Sequence, residues 1–322
     1  MSRSRKQVRR PRKLPLWGAV SLIALLGAAA LALSYIALTG VGSGDNQGLP
    51  VRSGGQTSEE AVASDPPTSA DPQPQVVTGQ AQKVAAQRLL AMAGGTTMRA
   101  TSGTCENPGT VEVSLDAGQS WSTSDSLTTA GATQILRLLP TDPSLVQVVA
   151  LDASCEPQVY RSTDLGTSWE GPLPVFGTWY FDPSTPSQVE APDGTQSLPC
   201  DGAELAAAGE RAAMRCLDGS VVTTVDRGFT WTESPGITDV LAINTSPDSY
   251  VMAQAGNETC EGLRLTSLAD GAFSSVDGCL ETDLSAEELN AGNIAIAQSG
   301  AYTLAWVGDD LLVSTDGGGT WL

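Results

Sequence analysis

The chain contains no histidine, which removes imidazole general acid–base catalysis, Ser-His-Asp and Cys-His nucleophile systems and imidazole metal sites together. Any chemistry must rest on carboxylates, Tyr, Lys or Arg. The densest aromatic cluster is Phe176, Trp179, Tyr180, Phe181 and Asp182, in a chain with only seven Trp, five Tyr and four Phe. Its functional reading is a stacking platform for a sugar or peptide beside a carboxylate. Its structural reading, a hydrophobic plug or a further strand, is favoured. Asp309, Asp310 and Asp316 lie close enough in sequence to offer oxygen ligands to Ca²⁺, but a solvated acidic hairpin is favoured, so no metal and no cofactor is expected. Glycoside hydrolysis needs two carboxylates about 5–9 Å apart. With 36 acids in the sequence, some pair meets that distance by chance, and sequence selects none.

The elements that must position these groups are set by a repeated eight-residue pattern. Ser162–Trp169 reads STDLGTSW, Ser114–Trp121 SLDAGQSW, Thr224–Trp231 TVDRGFTW and Ser314–Trp321 STDGGGTW, while Ser267–Ser274 (SLADGAFS) is a worn copy. In each, Ser114, Ser162, Thr224 or Ser314 ends a strand. Asp116, Asp164, Asp226 or Asp316 accepts turn N–H groups, and Gly118, Gly166, Gly228 or Gly318 takes positive φ. Trp121, Trp169, Trp231 or Trp321 begins the next strand. This pattern is the Asp-box, or bacterial neuraminidase repeat, and from about residue 84 to 322 the chain resembles Asp-box β-propellers such as the sialidases and the photosystem II assembly-factor family. The resemblance implies an all-β propeller and leaves the ligand open, because the box is a folding device in all these families.

From box to box the spacings are 48, 62, 43 and 47 residues, a four-stranded blade each time with about 15 extra residues in the third. Five blades are favoured and six stay open. The first blade is ambiguous, since Val84–Met92 reads as helix as readily as strand. The last lacks most of its outer strand, for which Gln75–Thr78 is the expected partner. Cys105, Cys155, Cys216 and Cys260 precede their boxes by nine, seven, eight and seven residues, placing them in the hairpin between the second and third strands. Six cysteines allow 15 connectivities. Strand direction within the blades favours Cys200–Cys216 and Cys260–Cys279, leaving Cys105–Cys155 to bridge adjacent blades. All six then lie on one face and the boxes on the other. The extra residues of the third blade, roughly 171–200, are expected on the cysteine face, where the sialidases this chain resembles carry their active site.

A sialidase mechanism asks for three arginines around a carboxylate, a Tyr activated by Glu, and an acidic proton donor. Tyr160-Arg161 falls on a third strand rather than an innermost one. Leu136-Arg137-Leu138-Leu139-Pro140 comes nearest to the family's Phe/Tyr-Arg-Ile-Pro motif and has one residue too many. Catalysis of that kind is not expected.

Residues 14–39 carry no charge, and 26 helical residues would span roughly 39 Å against a hydrocarbon core of ~30 Å. Seven Arg and Lys precede them, predicting a single-pass membrane helix with residues 1–13 cytoplasmic and the remainder extracytoplasmic; an uncleaved anchor is favoured over a signal peptide. Residues 40–82 are a disordered Gly-, Ser- and Pro-rich linker by composition, and residues 83–322 form the propeller. Beyond residue 13, ten basic residues face 36 acids, a balance that repels nucleic acid. The partners expected are the membrane, through one helix, and a cell-envelope protein or glycan. The sequence favours a binding or assembly module, with a glycoside hydrolase using a carboxylate pair as the alternative.

Overall fold

The computed structural model describes residues 85–142 and 144–322. The expected tail, membrane helix and linker, and the segment Gln75–Thr78, lie outside those residues. Among the described residues, no helix is long and apolar enough to cross a membrane.

Five antiparallel sheets follow one another along the chain. Blade 1 is β1 (Arg88–Ala93), β2 (Thr96–Thr101), β3 (Val111–Ser114) and β4 (Ser122–Thr123). A short helix α1 (Asp125–Thr129) leads to blade 2, which is β5 (Ile135–Asp142), β6 (Leu145–Leu151), β7 (Pro157–Ser162) and β8 (Glu170–Pro174). A separate hairpin, β9 (Gln188–Ala191) and β10 (Gly194–Ser197), precedes blade 3, formed by β11 (Gly202–Ala208), β12 (Arg211–Cys216), β13 (Val221–Thr224) and β14 (Thr232–Glu233). Blade 4 is β15 (Val240–Ser246), β16 (Ser249–Asn257), β17 (Cys260–Ala269) and β18 (Ala272–Glu281). Helix α2 (Ala286–Asn290) leads to blade 5, which is β19 (Ile294–Ser299), β20 (Tyr302–Val307) and β21 (Asp310–Ser314). In place of a fourth strand, Leu322 and Val313 exchange backbone hydrogen bonds of 2.9 and 3.2 Å.

The innermost strands form the ring: β1 packs beside β5 and β19, and β15 beside β11 and β19. Blade 5 thereby closes on blade 1. The seam buries Leu90 of β1 with Ala295, Ala297 and Leu304, and Arg99 lies 4.4 Å from the centre of the Trp121 ring and 5.3 Å from that of Trp306. Arg88 lies 4.5 Å from the Trp306 ring centre, each such contact worth about 0.5–2 kcal/mol. Within the ambiguous Val84–Met92, residues 88–92 are strand: pairing with β2 and packing against β19 outweigh their helix propensity.

Each intact box is a closed hydrogen-bond net. In the second, Ser162 Oγ donates to Asp164 Oδ1 at 2.7 Å and accepts the Gly166 N–H at 2.7 Å. Asp164 then accepts the Ser168 N–H at 2.8 Å and the Ser168 hydroxyl at 2.6 Å. The residue after Asp also takes positive φ (Ala117, Leu165, Arg227), so two successive residues turn left-handed before the chain reverses. The worn copy lacks this net. There β17 and β18 meet through a two-residue Asp270-Gly271 turn with φ of 48° and 74°, the left-handed pair that a tight hairpin demands.

The boxes also join blades. A Cβ on Gly318 would lie 2.3 Å from Leu265 of blade 4, and one on Gly118 3.2 Å from Leu304 of blade 5. Trp169 packs in the blade 1 core, with its indole N–H on Ser124 Oγ. Box glycine and tryptophan therefore pack against the blade before their own in the ring. For blade 3 that neighbour is not blade 2 but the inserted segment: a Cβ on Gly228 would meet Gln196 at 3.1 Å and Trp179 at 3.3 Å. Trp231 stands edge-on to Trp179 with ring centres 6.4 Å apart. Residues 171–200 thus supply a partial sheet, with β9 paired to β10 and Tyr180 bridging to Glu190, in the place another blade would take. That is the physical content of the long spacing between the second and third boxes.

The three disulfides are Cys105–Cys155, Cys200–Cys216 and Cys260–Cys279, with Cα separations of 5.7, 6.0 and 5.5 Å. They agree with the pairing that strand direction favours. The first ties blade 1 to blade 2 across 50 residues, a loop whose closure contributes about 4 kcal/mol on chain-entropy grounds.

Hydrogen bonds from the Ser120, Ser168 and Thr320 side chains and N–H groups hold Asp116, Asp164 and Asp316 down to about 2. Since folding lowers these values from 3.8, the stability they contribute is complete above that pH and is lost as pH falls toward 2. Replacing the three by Asn lowers Tm at pH 5, and the gap to the wild type closes between about pH 4 and 2; a gap independent of pH contradicts this. Replacing Cys105 and Cys155 by Ser costs about 4 kcal/mol in urea unfolding, and a loss below about 1 kcal/mol would show that the blade 1–2 joint does not depend on the staple.

Candidate functional site

The inner strands enclose a central cavity of about 230 Å³, lined by β1, β5, β11 and β15 together with Phe181 and Pro183. Its end on the cysteine side is sealed. The segment before β1 crosses the ring there, with the Ala86 N–H donating to Ala203 O at 3.0 Å, Gln87 N–H to Gly292 O at 2.9 Å, and Ser102 N–H to Gln87 O at 2.8 Å. Ala86, Ser102, Ile135 and Ala203, which line that end, are all buried. At the box end Thr141 is exposed, and Met92, Pro140, Asn244 and Thr245 are half-buried. The cavity is therefore a one-ended well that opens among the boxes.

Three side chains give the well its polarity. Glu204 on β11 faces Arg215 on β12, Oε2 to Nε 3.3 Å, and the same oxygen accepts the Ile243 N–H of blade 4 at 3.0 Å. Burial pushes its carboxyl up to about 7 against the pull of Arg215 and that N–H, and burial likewise lowers Arg215. This carboxylate is committed to joining blades 3 and 4. Arg137 on β5 donates to Trp179 O at 2.6 Å and to Ala207 O. Burial pulls its guanidinium down to about 10. Asn244 reaches across the ring to donate to Leu90 O.

The Phe176–Asp182 residues do not form one surface. Trp179 and Phe181 are core, 2% and 5% exposed, packed with Val189, Ala191 and Met214. Trp179 donates to Gly209 O at 2.9 Å, which places it at the box end of blade 3. Phe176 is 84% exposed, and Tyr180 and Asp182 are half-buried. The segment expected on the cysteine face instead runs alongside blade 3 to the box face, where Arg227 of the third box holds Asp193 at 3.1 Å. Its aromatics are drawn inward because the third box requires an apolar neighbour. Tyr160 is fully buried within blade 2, and Arg161 pairs with Glu170 at 2.8 Å on the surface, so neither lines the cavity. Among the described residues, no three His, Cys, Asp or Glu side chains come together to hold a metal ion.

Arg137, Glu204 and the crossing segment 86–87 escaped the sequence reading as site residues. Their signal was present: Arg137 stands inside the apolar run Ile135–Leu139, while Glu204 and Arg215 each interrupt strands of Ala and Met at facing register positions.

The Glu204–Arg215 pair is testable. Glu204→Gln removes the carboxylate that faces buried Arg215 and lowers stability in urea unfolding, and Glu204→Leu with Arg215→Met recovers part of that loss. Equal losses in the single and double variants would contradict the pairing.

No family model matches this chain, and no curated protein does. Among solved structures, the NanB sialidase of Streptococcus pneumoniae is similar with 10% identity and a TM-score of 0.41, covering 75% of this chain and 69% of that one. A GH74 enzyme of Niastella koreensis has 14% identity and a TM-score of 0.38, over 71% of this chain. This chain spans only 36% of the GH74 enzyme's length. YCF48, bound to a D1 peptide, has 17% identity and a TM-score of 0.27, covering 76% and 87%. The likeness is one of fold, and the blade count rests on the strand pairing itself. The chain is a β-propeller of five blades, four of which carry the Ser/Thr-x-Asp-x-Gly-x-x-Trp turn.

Proposed function

We propose that this protein is a non-catalytic binding or assembly module, held at the membrane by residues 14–39 and presenting its propeller outside the cytoplasm to a cell-envelope protein or glycan. The observation that carries the reading is the state of the central cavity: among the described residues the one carboxylate that lines it, Glu204, is engaged by Arg215 and the Ile243 N–H. Glycoside hydrolysis needs two carboxylates free to act on one bond. The box carboxylates are equally committed, each closing its own turn. Binding then falls to exposed surface, where Phe176 offers a ring 84% open to solvent beyond the end of β8.

The test is a screen of the full chain in detergent micelles against immobilised envelope glycans and cell-wall fragments, with released sugar followed in the same wells. The expected result is binding without turnover, weakened about tenfold by Phe176→Ala. Sugar release by the wild-type chain would overturn the non-catalytic reading. Retention undiminished by Phe176→Ala would move the binding surface elsewhere.

A further inference from the structure

The outer rims of the blades are protected in different ways. β4 and β14 are two residues long, too short to recruit another strand. β8 is longer, but it reads Glu170-Gly171-Pro172-Leu173-Pro174, and its two prolines supply no N–H to a neighbour. β18 differs from these: it is ten residues long, Ala272–Glu281, and contains no proline. Its far half is taken, because Gly278 packs against the backbone of Gly318 and Gly319 in the last box. Its near half is open. Ala272, Phe273, Ser274 and Ser275 are all exposed, Phe273 at 48%. Sheet edges are blunted by charge, proline or shortness, and this stretch has none of the three.

The hairpin fixes which groups point outward. The two-residue turn Asp270-Gly271 makes Ala269 and Ala272 a hydrogen-bonded pair, and Ser267 and Ser274 the next one. The N–H and C=O of Phe273 and Ser275 therefore point away from β17, and among the described residues no other backbone group bonds them. Two copies of this edge fit each other. With a two-fold axis at Ser274, Phe273 of each copy faces Ser275 of the other, and their outward N–H and C=O groups pair. Charge permits the contact. Beyond residue 13 the chain has ten basic residues against 36 acids, yet Ala272–Val276 is uncharged, with Asp270 in the turn before it and Asp277 in the bulge after it. Repulsion between the acidic bodies is screened beyond about 8 Å at 0.15 M salt. A two-fold contact also consumes both edges and leaves none for further growth.

We propose that the outer edge of blade 4 is a self-pairing site: β18 of two copies of this chain meets antiparallel over Ala272–Val276, about a two-fold axis at Ser274. Five paired residues a side bury less than the roughly 1,000 Å² of a stable interface, so the dimer is weak and forms with concentration. The site is separate from Phe176, and either assignment stands if the other fails.

The experiment is oxidative cross-linking of the full chain in detergent micelles at about 0.3 M NaCl, read on non-reducing gels. In this register the two Ser274 Cα atoms lie about 4.5 Å apart, within disulfide reach, and the two Ala272 Cα atoms about 14 Å apart, beyond it. The expected result is a covalent dimer from Ser274→Cys, at least about tenfold stronger than from Ala272→Cys. Adding Ser275→Pro removes an N–H that β17 does not use, and it lowers the Ser274→Cys dimer by at least about tenfold. No dimer from Ser274→Cys, an equal dimer from Ala272→Cys, or a dimer that survives Ser275→Pro would each overturn the proposal. A Ser274→Cys chain that stays monomeric but cross-links to an unrelated uncharged strand peptide carrying one cysteine would also overturn it, and would assign the edge to a different protein.

Discussion

The structure depends on a carboxylate placed so that one turn satisfies it completely. In each intact box the Asp accepts a hydroxyl and an N–H from the residue four positions on, and the Ser or Thr that begins the box receives the glycine N–H. That arrangement fixes two left-handed residues in succession and brings a glycine against the neighbouring blade. Nothing larger fits there: at Gly318 a Cβ would lie 2.3 Å from Leu265. Turn chemistry and blade packing are thus one constraint. The worn fourth copy shows the converse, since its Asp270-Gly271 turn completes a hairpin without a box.

The insertion before blade 3 follows from the same constraint. A box that packs against its predecessor needs an apolar surface there, and between blades 2 and 3 that surface is Trp179 and the β9–β10 hairpin. Arg137, reaching from blade 2 to the carbonyls of Trp179 and Ala207, ties the two flanks of this sector together. The cavity extends into the same sector, where Phe181 and Pro183 complete its wall. A cluster with the look of a recognition surface is therefore mostly a piece of core, and only Phe176 keeps its ring in solvent.

What sequence could reveal tracks how local the cause was. The boxes, strand order and blade spacing are legible because each rests on contacts within a few dozen residues. The disulfides are legible because strand direction within a blade decides which cysteines can meet. The first strand was ambiguous because its conformation is decided by β19, some 200 residues away. The cavity's chemistry was hidden for the same reason. Glu204 finds Arg215 on the next strand but its second donor, Ile243, on the next blade, and Gln87 meets Gly292 only after the ring has closed. Charged residues inside apolar strands were the available signal, and such residues mark either a structural pair or a site.

The inserted segment completes the ring as a blade would, so that all four boxes belong to one cooperative body. Native-state hydrogen exchange at the amides of Gly118, Gly166, Gly228 and Gly318, each bonded to its box hydroxyl, tests it directly. Gly228, whose neighbour is the insertion, is expected to be protected to the same free energy as the other three. Exchange at Gly228 faster by about a hundredfold or more, through local opening of residues 171–200, would contradict it and make the insertion an appendage of the propeller.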